Sequence, residues 1–287
     1  MEGLSIIGES INASVPSTEK LFEAGDFEGI KAVAQMQDQR GAAYIDVNVG
    51  RRPPEFMAEV VRHVQDATSK PLSVDTPDMA NAEAGLKAYS SDKAGGALPL
   101  LNSISPLRLE MLGLLEIQPF MPILMISERA QDGKSKPNHT AEEIYETARS
   151  MVGAVRDSGH AVPNEHCIFD PGMPSIGSDM NGATETVLDA LGRIHTDPEL
   201  AGTHASVGLS NFTNMLPRRK SDGSPVRSPL ESAFLTLAMP VGLDMVIGSV
   251  KRKYRLLDKD DPALVCLKEV FELKGPDRLK RLMDFYG

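Results

Sequence analysis

An α/β chain folded as a (β/α)8 TIM barrel is predicted by three observations: eight short apolar runs, a helical pattern between them, and a length suited to one such barrel. The runs are Leu4–Ile7, Tyr44–Val47, Leu72–Val74, Ala97–Leu101, Pro122–Ile126, His166–Phe169, Ala205–Leu209 and Leu243–Ile247. They are continuous rather than alternating, as strands covered on both faces must be. Alternating strand and helix implies a parallel sheet, and eight units favour closure over an open sheet. No linker or composition break divides the 287 residues, so residues 1–287 are expected to form one domain.

The intervening segments carry helical periodicity. Ile144, Tyr145, Ala148, Met151, Val152 and Val155 fall on one face, and so do Val187, Leu188, Leu191 and Ile194. Thr76 before Pro77 and Ser105 before Pro106 read as N-caps with proline at the first helical position. Thr140 and Glu143 have capping-box spacing. Two stretches, Gln131–Asn138 and Arg218–Pro229, read as long loops.

Composition narrows the function. A formal net charge of -10 disfavours a nucleic-acid partner, because phosphate binding needs clustered Lys and Arg. Cys167 and Cys266 stand far apart without metal-like spacing and read as reduced thiols. The N-terminal residues have no basic region. The apolar stretch Leu235–Val246 is broken by Pro240 and Asp244, so neither a signal peptide nor a membrane span is expected. A cytoplasmic protein is the expectation. No P-loop, HExxH or G-x-S-x-G motif is present. His139, His160, His166, His195 and His204 read as surface histidines, and Met125 as core packing.

Barrels of this class carry their chemistry where the strands end. Those positions hold Glu9 and Asn12, Asp46 and Asn48, Asp75, Asn102, Ser127, Asp170, Ser210 and Asn211, then Asp244. Any one Asp or Asn is accounted for by turn or cap formation. As a set they suit a neutral heterocycle rich in N–H groups. A carboxylate accepts two parallel hydrogen bonds from a fork such as the 2-amino/N3–H edge of a pterin or guanine, and an amide serves the remaining ring nitrogens. A hard cation such as Mg2+ on Asp46, Asp75 and Asp170 is the rival use of the same acids, although no His accompanies them.

Several of these positions sit in motifs that resemble the pterin-binding methyltransferases. They are Ile7-Gly8-Glu9-Ser10-Ile11-Asn12, Asp46-Val47-Asn48-Val49-Gly50, Val74-Asp75, Asn102-Ser103, Asp170-Pro171 and Gly208-Leu209-Ser210-Asn211. The segment Phe234-Leu235-Thr236-Leu237-Ala238-Met239 with Gly242-Leu243-Asp244 continues the likeness. On these motifs, which keep their order from about Ser5 to Asp244, the chain is identified as a member of the methyltetrahydrofolate:corrinoid protein methyltransferases. These are related to the folate module of cobalamin-dependent methionine synthase.

The resemblance implies a dihydropteroate synthase-like barrel, a homodimer, tetrahydrofolate or 5-methyltetrahydrofolate as substrate, and a corrinoid protein partner carrying cobalamin. It assigns Asp75, Asn102 and Asp170 to the pterin ring, with Asp170 on the 2-amino/N3–H fork. Asn211 would reach N5, with Asp75 tuning that nitrogen. Glu9, Asn12, Gly208 and Ser210 complete the expected pocket, and no metal is expected.

Dihydropteroate synthase itself needs basic residues at the ends of its last two strands. Here the seventh ends in Ser210-Asn211 and the eighth is expected to end near Asp244 and Ile247, neither with Lys or Arg. Gly50-Arg51-Arg52-Pro53 also stands where that family has Ser-Thr-Arg-Pro-Gly. The loop after Asn211, with Arg218, Arg219, Lys220 and Arg227, is longer and more basic than the methyltransferase pattern. That loop and the segment from Asp170 to Gly182 are expected to govern which corrinoid protein docks. A dihydropteroate synthase-like enzyme, a metal-dependent barrel lyase and a non-catalytic pterin-binding scaffold are the alternatives.

Overall fold

The computed structural model describes all 287 residues. The strands are β1 (Ser5–Asn12), β2 (Tyr44–Asn48), β3 (Leu72–Asp75), β4 (Leu100–Ile104), β5 (Met121–Met125), a hairpin of β6 (Glu128–Gln131) and β7 (Lys134–Pro137), β8 (Ile168–Asp170), β9 (His204–Gly208) and β10 (Met245–Gly248). All but the hairpin pair in parallel and close into a barrel in the order β1-β10-β9-β8-β5-β4-β3-β2. Each of the eight apolar runs holds one barrel strand, with shifted ends. The first strand runs on to Asn12, and Leu209 opens a short helix, Leu209–Phe212. Asp244 precedes β10 instead of ending it, so it lies at the opposite rim from the other strand-end acids.

Side chains alternate between the barrel interior and the surrounding helices. Ile7, Leu100, Ile123, Ile168 and Met245 form a small inner cluster, with Tyr44, Met121 and Ile247 packed against it. Two larger clusters lie between the strands and the helices. Stepping two residues up each strand from the inner cluster gives Glu9, Asp46 and then Asn48, Asn102, Met125 and Asp170. By the same period-two rule these face the interior at the C-terminal mouth. Met125 is half-buried there beside Asp170, its register partner, and is not a core residue.

The helix Ala141–Asp157 starts at the expected capping box of Thr140 and Glu143 and buries Ile144, Ala148, Met151, Val152 and Val155. The helix Ala183–Thr196 buries Val187, Leu191 and Ile194. Each such aliphatic side chain contributes about 1.5–3 kcal/mol when fully removed from water.

Four local expectations are corrected. The cap after β3 is Asp78, whose carboxylate accepts the Asn81 N–H at 2.9 Å, while Thr76 accepts the Asp78 N–H one turn earlier. Ser105-Pro106 leads into a 3-10 helix, Leu109–Glu116, with no side-chain cap; Gly113 in its middle disfavours an α-helix by about 1 kcal/mol. The stretch Gln131–Asn138 belongs to the β6–β7 hairpin, turning at Asp132-Gly133 with both φ positive, which suits the twist of a two-residue turn. Its strands are polar and mostly exposed, so no apolar alternation marks them. Within Arg218–Pro229 the helix Arg227–Ala238 already begins. No helix is long and apolar enough to cross a membrane.

The segment after Asp170 is firmly tied at its far end. Asp179 accepts the N–H groups of Gly182, Ala183 and Thr184, each at 2.9 Å, and the Thr184 hydroxyl at 2.8 Å. Arg278, from the helix Pro276–Tyr286, donates to the Asp179 carbonyl at 2.9 Å and grips Glu185 with two bonds of 2.6 and 2.7 Å. A bidentate guanidinium–carboxylate pair is among the stronger polar contacts.

Candidate active site at the barrel mouth

The acids of the second and third strands meet. Asn48 donates its side-chain amide to Asp75 at 2.9 Å, and Asp75 is the register neighbour of Asn102 on β4. Asp46 lies deeper and is 1% exposed. Neither of its carboxylate oxygens has a hydrogen-bond partner, and its neighbours are Asp75, Ser73 and Asn102. Burial, followed by the Asp75 charge, pushes Asp46 well above the usual carboxylate range. Burial also raises Asp75, with the Asn48 amide working against it. Two carboxylates this close cannot both be charged at low cost, and the deeper burial of Asp46 favours its protonated form over that of Asp75.

Asp170 ends β8. One carboxylate oxygen accepts the Gly172 N–H at 2.8 Å, yet burial outweighs that bond and raises its pKa to about 6. Gly172 has φ +72°, and a Cβ there would meet the Ser127 Cβ at 2.9 Å. Only glycine therefore brings this N–H under Asp170 without strain. On this flank a cavity of about 550 Å³ opens among Ser127, Asn138, Gly172 and Asn181.

The opposite flank is built by β1 and β9. Ser210 donates its hydroxyl to Glu9, fastening the two strand ends together across the intervening β10. Asn12 spends its side-chain oxygen on the Ser14 N–H at 2.8 Å, a turn contact, while still lining the mouth. Gly208 leaves room for Asn211, since a Cβ there would lie 2.8 Å from the Asn211 amide nitrogen. Glu9, Asn12, Ser210 and the exposed Asn211 wall a cavity of about 480 Å³.

That cavity overturns one expectation. Arg218, Arg227, Lys251 and Arg252 share its wall, so the ends of the last strands do carry cations. Arg218 and Arg227 belong to the basic loop already visible in the sequence, while Lys251 and Arg252 lie beyond the expected end of the eighth strand, near Asp244 and Ile247. It ends at Gly248, and Lys251 and Arg252 follow directly. Asp244 instead accepts the Ala205 N–H at 3.0 Å at the far end of the barrel and pairs with His204. His204 is thus half-buried and partnered, and not a free surface histidine. Asn48 and Asp46, both visible as strand-end residues, prove to be direct neighbours of Asp75, which spacing along the chain does not reveal.

Asp75 with Asn102, Asp170, and Asn211 with Glu9 occupy three sectors of one rim. Together they present carboxylate acceptors and a free amide to whatever enters. Asp170 can accept from a pair of donors, and Asn211 offers a neutral amide without a side-chain partner.

The family model described as pterin binding enzyme matches residues 9–248. A methylcorrinoid:tetrahydrofolate methyltransferase of Eubacterium limosum is 28% identical over 246 residues, covering 84% of this chain and 83% of that protein. Among solved structures, the 7,8-dihydropteroate synthase of Vibrio fischeri superposes with a TM-score of 0.57 at 17% identity, over 85% of this chain and 86% of that one. The dihydropteroate synthase of Xanthomonas albilineans with 4-aminobenzoic acid gives 0.57 at 19% identity, over 94% and 91%. The structural likeness establishes a shared barrel fold.

Proposed function

The chain belongs to the family of pterin-binding enzymes, and from that premise we propose that it moves a methyl group between N5 of tetrahydrofolate and the cobalt of a corrinoid carried by a partner protein. The named activity of the Eubacterium limosum relative supports this reading. The observation that carries it is local: β9 ends in a glycine whose missing Cβ leaves room for the Asn211 amide. A neutral donor is thereby held at the mouth.

Asp170 accepts the 2-amino/N3–H fork of the pterin, and donors on that edge favour its charged form. Asp75 and Asn102 take the adjoining ring edge, with Asp46 keeping its proton and leaving Asp75 as acceptor. Reduced cobalt supplies a strong nucleophile, so the chain itself contributes none. Its task is the leaving group. N5 departs poorly as an anion, and a hydrogen bond that strengthens as the C–N bond breaks lowers the barrier. The Asn211 amide donates that bond, and water reaching the exposed rim supplies the proton. In the reverse direction the same groups act in reverse order.

Stopped-flow methylation of free cob(I)alamin by 5-methyltetrahydrofolate, giving tetrahydrofolate and methylcob(III)alamin, tests the assignment. Asn211→Ala is expected to lose about 10²–10³-fold in turnover, as for loss of one oxyanion-hole donor, with tetrahydrofolate still bound. Unchanged turnover removes Asn211 from the role.

The cations beside Asn211 favour a second reading, in which p-aminobenzoate condenses with a pterin diphosphate and diphosphate is held by Lys251 and Arg252. Against it, β9 leads into an uncharged Ser210-Asn211 pair. Incubation with p-aminobenzoate and the pterin diphosphate decides between them: release of diphosphate selects the second.

A further inference from the structure

The cavity that begins at Asn211 reverses the charge of the molecule. The chain carries a net -10, yet Arg218, Arg227, Lys251 and Arg252 line this one cavity with Glu9 as its single acid. Arg252 is paired with the buried Glu231. Arg227 donates to the Leu216 and Asn214 carbonyls, at 2.9 and 3.1 Å, which fixes its position and leaves its charge uncompensated. Burial and repulsion from Arg252 and Arg218 hold it below its usual value. Lys251 and Arg252 also wall an adjoining cavity of about 410 Å³, together with Lys253 and Arg255. The ion pairs of the region are Arg252–Glu231 and Arg255–Asp261, so Arg218, Lys251 and Lys253 have no carboxylate partner. The two cavities share Lys251 and Arg252, and the first also holds Asn211, so these cations form one trough beside the amide at the mouth. Loops after the last two strands are a recurring place for anions in this fold.

The chemistry of the pterin says what reaches this trough. C6 is bonded to N5, so the substituent on C6 starts one bond from the atom facing Asn211. In tetrahydrofolate that substituent is a p-aminobenzoyl group ending in glutamate, and each further γ-linked glutamate adds one carboxylate. We propose that the trough from Arg218 through Lys251 to Lys253 binds the carboxylates of the glutamyl tail, and that the protein prefers polyglutamylated folate. The proposal rests on the pterin assignment above and adds to it the part of the substrate that the strand-end acids do not hold.

Calorimetric titration separates the two. The ligands are 6-methyltetrahydropterin, which has no tail, tetrahydrofolate monoglutamate and tetrahydrofolate triglutamate, each added to the full chain and to the double variant Arg218→Gln/Lys251→Gln. Both substituted side chains are exposed, so the fold should be kept, and melting curves check this. Triglutamate is expected to bind about tenfold tighter than monoglutamate at low salt, since two exposed ion pairs of ordinary strength sum to that ratio. In the variant, or at high salt, the ratio falls toward one, while 6-methyltetrahydropterin binds equally to both proteins. Equal affinity for the mono- and triglutamate, or a preference untouched by the double variant, overturns the tail assignment and leaves the pterin site standing. Failure of 6-methyltetrahydropterin and both folates to bind overturns the pterin reading and this proposal with it.

Discussion

The two rims of the barrel are built from similar residue types and settle them differently. At the N-terminal rim, Asp244 holds His204 at 2.5 Å and the Ala205 N–H at 3.0 Å, and the Tyr44 hydroxyl meets the Met121 sulfur at 3.8 Å. The polar groups there have found partners within the chain. At the C-terminal rim neither Asp46 oxygen has a hydrogen-bond partner, burial raises Asp75 and lifts Asp170 to about 6, and Asn211 stands exposed. A folded chain rarely leaves buried polar atoms unsatisfied without a functional reason. The contrast sets groups that secure the barrel against groups that, on the proposed function, are kept for a ligand.

Substitutions can break that contrast. At the mouth, Asp170→Asn removes the charged acceptor of the fork. Charge-assisted hydrogen bonds of about 1.5–3 kcal/mol translate to a loss of about 10–150-fold in pterin affinity, read by calorimetry; wild-type affinity would take Asp170 out of the site. Gly208→Ala acts through Asn211, because the new Cβ displaces an amide nitrogen 2.8 Å away. Its φ of -70° is ordinary for alanine, so melting should hardly change. Turnover should fall by about tenfold, from a misplaced donor rather than a missing one. Retained turnover would show that the amide has other room to work from.

At the opposite rim the effects should be small and confined to stability. The hydrogen bond to Asp244 is the main cause that raises the His204 pKa, against its burial. A raised folded value means that this stabilisation is complete below the unfolded pKa and disappears as pH rises through the folded one. Both side chains are about a third exposed, so screening keeps the contribution under about 1 kcal/mol. His204→Gln should lower the melting temperature slightly in mildly acidic buffer and leave pterin affinity unchanged. A lost affinity would mean that the two rims are not independent.

Much of the barrel was legible because a strand covered on both faces must be apolar throughout. That same continuity hid the interior. In a run such as Tyr44-Ile45-Asp46-Val47-Asn48 nothing along the chain says which alternate residues point inward. The closeness of Asp46 to Asp75 and the hydrogen bond from Asn48 to Asp75 appear only when neighbouring strands are set in register. Asp244 misled for a related reason. It follows an apolar pair, Gly242-Leu243, that ends a turn, and the strand starts one residue later at Met245. The expected strand end, Ile247, is one residue short of the observed Gly248, and Lys251 and Arg252 come to the mouth from the loop that follows, which the strand-end positions alone do not include. Arg227 was visible as a cation of the loop after Asn211, but its place at the mouth was not. It reaches the cavity from the start of a helix, anchored on loop carbonyls, a contact that no local motif marks. The β6–β7 hairpin escaped because its polar strands lack alternation, although Asp132-Gly133 is a turn signal in its own right.

Proton exchange on tetrahydrofolate binding tests the central claim, that the strand-end acids grip the pterin, most directly. Asp170 titrates near pH 6 when free because burial opposes its charge, and the fork of donors should pull that value down on binding. Titrations at pH 6 in buffers of different ionisation heat should then report release of up to about half a proton per site, with affinity weakening as the pH falls below 6. Binding with no proton release and no pH dependence between about 5 and 7 would contradict the account.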